Sequence, residues 1–226
     1  MKNLVYPLIL FIFFLPQFLL AQINDNNGDG KVVILAFGDS ITYGIGSNGI
    51  GDDRFQCIYG YPEYLSEMLD VVVDNQGVPG EELTQGGSQR FFSLVKKGIY
   101  DLALIMEGVN DSVHQVSPFY ISLELQKIIN VAIAHRVEPV LFTLPQPMSQ
   151  FKHPWVAAYN QEITKLAYIN KLRYVDLELI WSEHGCDDTV CEYYNMPEGL
   201  HPNAEGYQLI AESVYEVLMG EKKNAK

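Results

Sequence analysis

The chain has 226 residues, of which 48% are hydrophobic and 12% are aromatic, and its formal net charge is −13. This length and apolar content argue against a disordered chain and suffice for one domain with a substantial core. The acidic balance argues against a protein that binds nucleic acid or anionic lipid through a basic surface.

Residues 1–21 have the features of a secretory signal peptide. Lys2 supplies a positive start, an apolar stretch runs from Leu4 to Leu20, and the bond between Ala21 and Gln22 is a plausible cleavage point. We therefore expect export to the periplasm or the medium, with no stable membrane association after cleavage. The alternative is an uncleaved signal that anchors the protein in the membrane.

Residues 22–30 are polar and glycine-bearing, which predicts a flexible linker before a domain at 31–220 and a polar tail at 221–226. Asp25, Asn27 and Asp29 match the opening of a calcium loop. The glutamate that would close such a loop falls at Ala36, inside the first predicted strand. We therefore predict no metal site.

Strand and helix patterns alternate along the rest of the chain. Strands are predicted at 32–37, 71–75, 102–107, 140–143 and 174–176. Helices are predicted at 62–69, 88–97, 118–135, 154–170 and 204–218. This alternation predicts an α/β fold, a three-layer α/β/α sandwich around a parallel sheet of about five strands.

Four short strings lie at or near the ends of predicted elements. They are Gly-Asp-Ser-Ile at 38–41, Asn-Gln-Gly-Val-Pro-Gly at 75–80, Gly-Val-Asn-Asp at 108–111 and Glu-Gly-Leu-His-Pro at 198–202. Ligand sites of open α/β sheets lie at the carboxyl ends of the strands. We expect the first string to place Ser40 on the loop that leaves the first strand.

These strings contain the parts of a hydrolytic site. A serine is a weak nucleophile unless a base accepts its proton and donors stabilise the oxyanion that forms. His201 can be that base for Ser40. The backbone N–H groups of Ser40 and Gly80 and the side-chain amide of Asn110 can be the donors.

With these motifs the chain resembles the GDSL esterases, also called SGNH hydrolases after their Ser, Gly, Asn and His. The four blocks occur in family order at Ser40, Gly80, Asn110 and His201, and they span almost the whole soluble chain. The resemblance implies a flavodoxin-like strand order and a serine esterase without cofactor. One departure is Glu198, which stands where the family usually has Asp.

Two assignments within these blocks have rivals. Glu198 is our choice for the carboxylate that orients His201, with Asp187, Asp188 and Glu192 as alternatives in the same stretch. Gly80 is our choice for the oxyanion donor, because its rival Gly77 aligns less well with the family block.

Four further residues are candidates for the substrate pocket. Tyr43 follows the first predicted strand, and His153 and Trp155 follow the fourth, where rings can stack on a sugar or hold an acyl chain. Asp39 precedes the nucleophile, and we expect it to fix the loop by hydrogen bonds rather than to transfer protons.

Three cysteines follow the predicted cleavage point. Cys186 and Cys191 are close in sequence and are expected to form a disulfide in an oxidising compartment, which leaves Cys57 unpaired. Their spacing does not fit a zinc site.

We therefore interpret the chain as an exported serine esterase that forms an acyl-enzyme, acting on small acyl esters such as acetylated carbohydrate. A lysophospholipase or thioesterase of the same fold is the alternative within this class. A catalytically dead carbohydrate-binding module is the alternative of another class, and turnover of an acyl ester distinguishes it.

Overall fold

A computed structural model of the protein describes residues 23–47, 59–148, 155–186 and 190–220. Five parallel strands form one sheet in the order β2-β1-β3-β4-β5. The strands are β1 (Val33–Gly38), β2 (Val72–Gly77), β3 (Leu102–Met106), β4 (Glu138–Phe142) and β5 (Tyr174–Val175). This order is the flavodoxin-like one expected from the family resemblance.

Helices cover the sheet. They are α1 (Ser40–Tyr43), α2 (Tyr61–Leu69), α3 (Gly87–Val95), α4 (Val109–Val113), α5 (Pro118–Ala134), α6 (Val156–Asn170), α7 (Leu177–Glu183) and α8 (Ala204–Met219). Among the long helices, α2 packs against α8, and α5 packs against both α3 and α6. The predicted α/β/α sandwich is therefore confirmed.

The centre of the core is β1 together with β3. All five residues of β3 are buried, as are the last five of β1. Both strands are continuous apolar runs because helices cover both faces of the sheet.

The sheet register aligns the strand ends that carry the motifs. Gly38, the last residue of β1, pairs with Gly77 on one side and with Met106 on the other. The segments that follow these three strands therefore leave the same edge of the sheet, which is the edge where the site lies.

Three short helices differ from the sequence prediction. Ser40 does not lie on a loop but is the first residue of α1, and α4 and α7 were also not predicted. None of the three exceeds seven residues, so none shows a hydrophobic period. Strand β4 begins two residues earlier than predicted, because Pro139 lies where the short β5 makes no pairing and its missing N–H is not needed.

The polar segment before β1 is bonded to the domain rather than detached from it. The N–H groups of Asn26 and Asn27 donate to the Asp101 carboxylate, at 2.8 and 3.1 Å. The Asp25 carboxylate accepts the N–H groups of residues 28, 29 and 30. These bonds hold a stretch that its composition predicted to be flexible.

Several predictions fall outside the described residues: the signal peptide at 1–21, the polar tail at 221–226, Cys57, His153, Asp187 and Asp188. Within the described ranges, no helix has the length and apolar character needed to cross a bilayer.

Candidate active site

The nucleophile candidate lies at the start of α1. Asp39 is the N-cap of this helix, and its Oδ1 accepts the N–H of Ile41 at 2.9 Å. The cap holds the turn between β1 and α1, so Asp39 fixes the segment that carries Ser40. Ser40 itself is only 9% exposed.

His201 lies between Ser40 and Glu198. Its Nε2 is 2.9 Å from the Ser40 Oγ, and its Nδ1 is 2.5 Å from the Glu198 Oε1. The second carboxylate oxygen, Oε2, accepts the His201 backbone N–H at 3.3 Å. Because the Glu198 carboxylate can only accept a hydrogen bond from Nδ1, this contact favours the tautomer with the proton on Nδ1. Nε2 is then free to accept a proton from the serine.

Bonds to other parts of the chain hold the segment from Asn195 to Pro202. The Asn195 side-chain amide donates to the carbonyls of Gly46 and Pro202, at 3.0 and 2.8 Å. The Met148 N–H donates to the Gly199 carbonyl at 2.9 Å. The segment after β4 and the segment after α1 thus both fix the position of the imidazole.

Gly80 and its rival Gly77 have different structural roles. A Cβ on Gly77 would lie 2.1 Å from the Tyr43 backbone nitrogen, so this glycine permits close packing against α1. Gly80 has φ +78°, follows Pro79 and closes a turn in which the Glu81 N–H donates to the Val78 carbonyl. It is exposed, and nothing lies within 4 Å of the position that a Cβ would take.

Asn110 lies in α4, near both of the other donor segments. Its Nδ2 donates to the Glu81 carbonyl at 2.8 Å and lies 3.4 Å from the Asp39 Oδ2. The first bond uses one N–H at good length, whereas the second contact is long for a hydrogen bond. The N–H directed toward Asp39 is therefore the one that a substrate oxygen can recruit.

The neighbouring Asp111 is fully buried and supports the turn from the other side. Its carboxylate accepts the N–H of Leu83 at 2.9 Å and both the N–H and the hydroxyl of Thr84, at 3.1 and 2.6 Å. Asp111 thus attaches the chain just after Gly80 to α4.

Buried carboxyl groups lie beneath the site. The pKa of Asp39 is raised from 3.8 to about 6, chiefly by burial, with smaller contributions in the same direction from the charges of Asp111 and Glu81, while the Ile41 N–H and His201 oppose the shift. Burial also raises the pKa of Glu107 well above its ordinary value, with added repulsion from Asp39 and Glu81. Both carboxyl groups therefore hold their protons to higher pH than free carboxyl groups do.

The structure also describes several other residues that the sequence analysis singled out. Tyr43 ends α1 and is partly buried, and Trp155 is the N-cap of α6. Cys186 and Cys191 form a disulfide. Of the rival acids, the structure describes only Glu192. The backbone carbonyl of Glu192 accepts a hydrogen bond from the Asn203 side-chain amide.

Within the parts of the chain that the structure describes, no group of three or more His, Cys, Asp or Glu side chains is placed to hold a metal ion. Three residues near the site escaped the sequence analysis: Glu81, Arg90 and Asp111. Asp111 follows Asn110 in the same string, so the sequence offers a signal for it, whereas the pairing of Glu81 with Arg90 gives no sequence signal.

Comparison with known proteins adds a family match. Residues 36–209 match the sequence model of the GDSL-like lipase/acylhydrolase family. Among curated proteins, none matches the chain significantly in sequence.

Solved structures share the fold at low identity. A lipase/acylhydrolase from Enterococcus faecalis has a TM-score of 0.69 at 21% identity, covering 86% of this chain and 99% of its own. A carbohydrate acetylesterase family member from Sinorhizobium meliloti has a TM-score of 0.67 at 17% identity, covering 84% and 99%. The psychrotrophic esterase EstA from Pseudoalteromonas sp., inhibited by monoethylphosphonate, has a TM-score of 0.63 at 18% identity, covering 82% and 96%.

Proposed function

This chain belongs to the GDSL-like lipase/acylhydrolase family and is a serine hydrolase that cleaves ester bonds, and from that premise we propose that it is an exported esterase for small acyl groups, with acetylated carbohydrate as its substrate class. The observation that carries the proposal is the hydrogen-bonded chain from Glu198 through His201 to Ser40, with contacts of 2.5 and 2.9 Å.

The proposed reaction has two halves. In the first, the Ser40 Oγ attacks the ester carbonyl while its proton passes to the His201 Nε2, and the imidazolium then protonates the departing alcohol. In the second, His201 takes a proton from water, the resulting hydroxide attacks the acyl-enzyme, and Ser40 recovers its proton as the acid leaves. Glu198 stabilises the imidazolium in both halves.

Three donors are assigned to the oxyanion. The Ser40 N–H is the first backbone donor of α1, Gly80 is an exposed residue of its turn, and the Asn110 amide has one N–H held only by a 3.4 Å contact. Donors aimed in advance at the developing charge supply the largest single contribution in acyl transfer.

The acyl and alcohol groups of the substrate rest on weaker support. The carbohydrate acetylesterase family member from Sinorhizobium meliloti is among the structures with this fold, which favours an acetylated sugar. The Enterococcus faecalis lipase/acylhydrolase favours the alternative, a lysophospholipase or thioesterase with a longer acyl group.

A panel of esters tests both levels of the proposal. We expect turnover of p-nitrophenyl acetate to exceed that of the butyrate and octanoate esters, and acetate to be released from acetylated xylan. The Ser40→Ala variant should fold normally and lose several orders of magnitude in kcat. Preference for octanoate would move the enzyme to the lysophospholipase or thioesterase class. Glycan binding by a wild-type protein without turnover would identify a binding module.

Export is the remaining part of the proposal. The charged and apolar pattern of residues 1–21 and the disulfide between Cys186 and Cys191 both favour an oxidising compartment. The intact mass of the protein from the native periplasm or medium should be that of a chain that begins at Gln22. Recovery of full-length protein only in the membrane fraction would identify an uncleaved anchor.

A further inference from the structure

The Arg90 guanidinium on α3 joins several segments of the site. Its Nε donates to both carboxylate oxygens of Glu81, at 2.7 and 3.0 Å, and its Nη2 also contacts this carboxylate. Nη1 donates to the Gln76 carbonyl at 2.9 Å, and Nη2 approaches the Gly38 carbonyl at 3.4 Å. The Phe37 ring supports the cation from below, with its centroid 4.3 Å from Cζ.

These partners belong to the segments that carry the oxyanion donors. The Gly38 carbonyl precedes the nucleophile by two residues and also accepts the Val78 N–H at 2.9 Å. Gln76 and Glu81 lie on either side of the turn that presents the glycine donor. The Glu81 carbonyl, in turn, accepts the Asn110 amide at 2.8 Å. One guanidinium therefore connects all three donor segments.

Arginine suits this position for a geometric reason. Its planar fork donates in several fixed directions at once, whereas a lysine ammonium is a compact charge that cannot reproduce the set. The Glu81 side chain is 11% exposed and that of Arg90 is 23% exposed, so water competes only partly for these bonds.

We propose that Arg90 is a positioning residue for the oxyanion hole: through Glu81, Gln76 and Gly38 it sets the relative placement of the Ser40, Gly80 and Asn110 donors. The inference rests on the proposed function of these three residues. Arg90 makes no contact with the reacting atoms in this role, and it acts only through the backbone segments that it joins.

The expected kinetic effect follows from the geometry of oxyanion stabilisation. Donors must lie about 2.7–3.1 Å from the position of the oxyanion, and a displacement of about 1 Å costs roughly a hundred-fold in rate. Removing Arg90 frees the turn and the Asn110 partner together. We therefore expect Arg90→Met to lower kcat by about ten- to a hundred-fold with a smaller change in KM.

The chain offers a matched control at the opposite edge of the sheet. Arg173 pairs with Glu138 at 2.8 Å and donates to the Leu218 carbonyl at 3.0 Å. Its side chain is 26% exposed, and Glu138 is the first residue of β4. Arg173→Met removes a comparable ion pair far from the site, so it should lower stability while it leaves kcat within about twofold.

The experiment compares these two variants with wild-type enzyme on p-nitrophenyl acetate, with thermal unfolding of each. A second readout is rescue by methylguanidinium, which should raise the kcat of Arg90→Ala at least fivefold without raising that of wild type or of Arg173→Ala. If Arg90→Met does not fold, Arg90→Lys and Arg173→Lys give the same comparison, and only the former should lose more than about fivefold in kcat.

Equal kcat values in the folded Arg90 and Arg173 variants would overturn the proposal, and so would a loss confined to KM. Failure of the underlying function has a different appearance: wild-type protein would then show no turnover, or Ser40→Ala would retain it. An active wild type with an inactive Ser40→Ala therefore isolates the question of Arg90.

Discussion

Replacing Glu198 by Gln tests how the carboxylate controls the imidazole. Both carboxylate oxygens face His201: Oε1 lies 2.5 Å from Nδ1, and Oε2 accepts the backbone N–H at 3.3 Å. A glutamine has one oxygen and one NH₂ group for these two donors, so one of the two contacts becomes repulsive while the proton stays on Nδ1.

Each orientation of the glutamine has a cost. If its NH₂ group faces Nδ1, the proton moves to Nε2, and the ring can no longer accept the Ser40 proton. If its oxygen faces Nδ1, the tautomer survives, but the imidazolium loses its neutralising charge and an NH₂ group faces the His201 backbone N–H. We expect kcat to fall about a hundred- to ten-thousand-fold, which corresponds to about 3–5 kcal/mol in the barrier.

Two further variants calibrate the result. Glu198→Asp keeps the charge but shortens the side chain by one C–C bond of about 1.5 Å, which opens the 2.5 Å contact to about 4 Å without movement of the backbone. It should therefore retain an intermediate activity. Glu192→Gln, Asp187→Asn and Asp188→Asn should be near wild type.

The assay is steady-state hydrolysis of p-nitrophenyl acetate by all five variants at one pH, with circular dichroism to establish folding. Full activity in Glu198→Gln would refute the reasoning. If one of the other acids then proved essential, the triad would contain that acid instead, and if none did, the site would work as a Ser–His dyad.

Three more predictions concern the surroundings of the triad. Asn110→Ala should lower kcat about a hundred-fold or more with a smaller change in KM, because one oxyanion donor is lost, and a near-normal kcat would leave Asn110 with a structural role only. Replacing Cys186 and Cys191 by Ser should lower the free energy of unfolding by about 2 kcal/mol, the chain-entropy value for so small a ring. Denaturant titration measures this free energy. Free thiols found by mass spectrometry of the non-reduced native protein would contradict the pairing. Glu107→Gln should gain stability relative to wild type as the pH rises above about 4.5. The reason is that the pKa of Glu107 is raised in the folded state, so folded wild type retains a proton that its unfolded chain releases. Stability curves of the two proteins that run parallel from pH 4 to 8 would show that Glu107 is not held neutral.

The sequence predicts the long elements because burial on both faces leaves a continuous apolar run in β1 and β3, and a helical period in α5. It misses α1, which is short and depends on the Asp39 cap and the packing of Gly77 against it. Such an element depends on a close approach to the end of β2 that no pattern within α1 itself encodes.

The candidate site shows the same division. Ser40 and Asn110 follow predicted strands and His201 precedes the last predicted helix, and the resemblance of their blocks to the family motifs marks all three in the sequence. The pairing of Arg90 with Glu81 depends on a turn and a helix whose relative placement no local pattern encodes. The buried state of Glu107 likewise arises from tertiary packing, since its sequence neighbours only mark it as the residue after β3.

The separation of the nucleophile from its base has a consequence for biosynthesis. Ser40 and His201 are 161 residues apart, and the two regions are joined by bonds such as that from the Tyr207 hydroxyl to the Ile45 carbonyl at 2.6 Å. At ribosomal rates of about 5–20 residues per second, the serine emerges roughly 8–30 s before the histidine. The nascent chain therefore carries the serine without its base until the C-terminal part has been synthesised. Ester cleavage requires that the segment with His201 joins the segment with Ser40, so the onset of turnover during refolding reports this long-range contact.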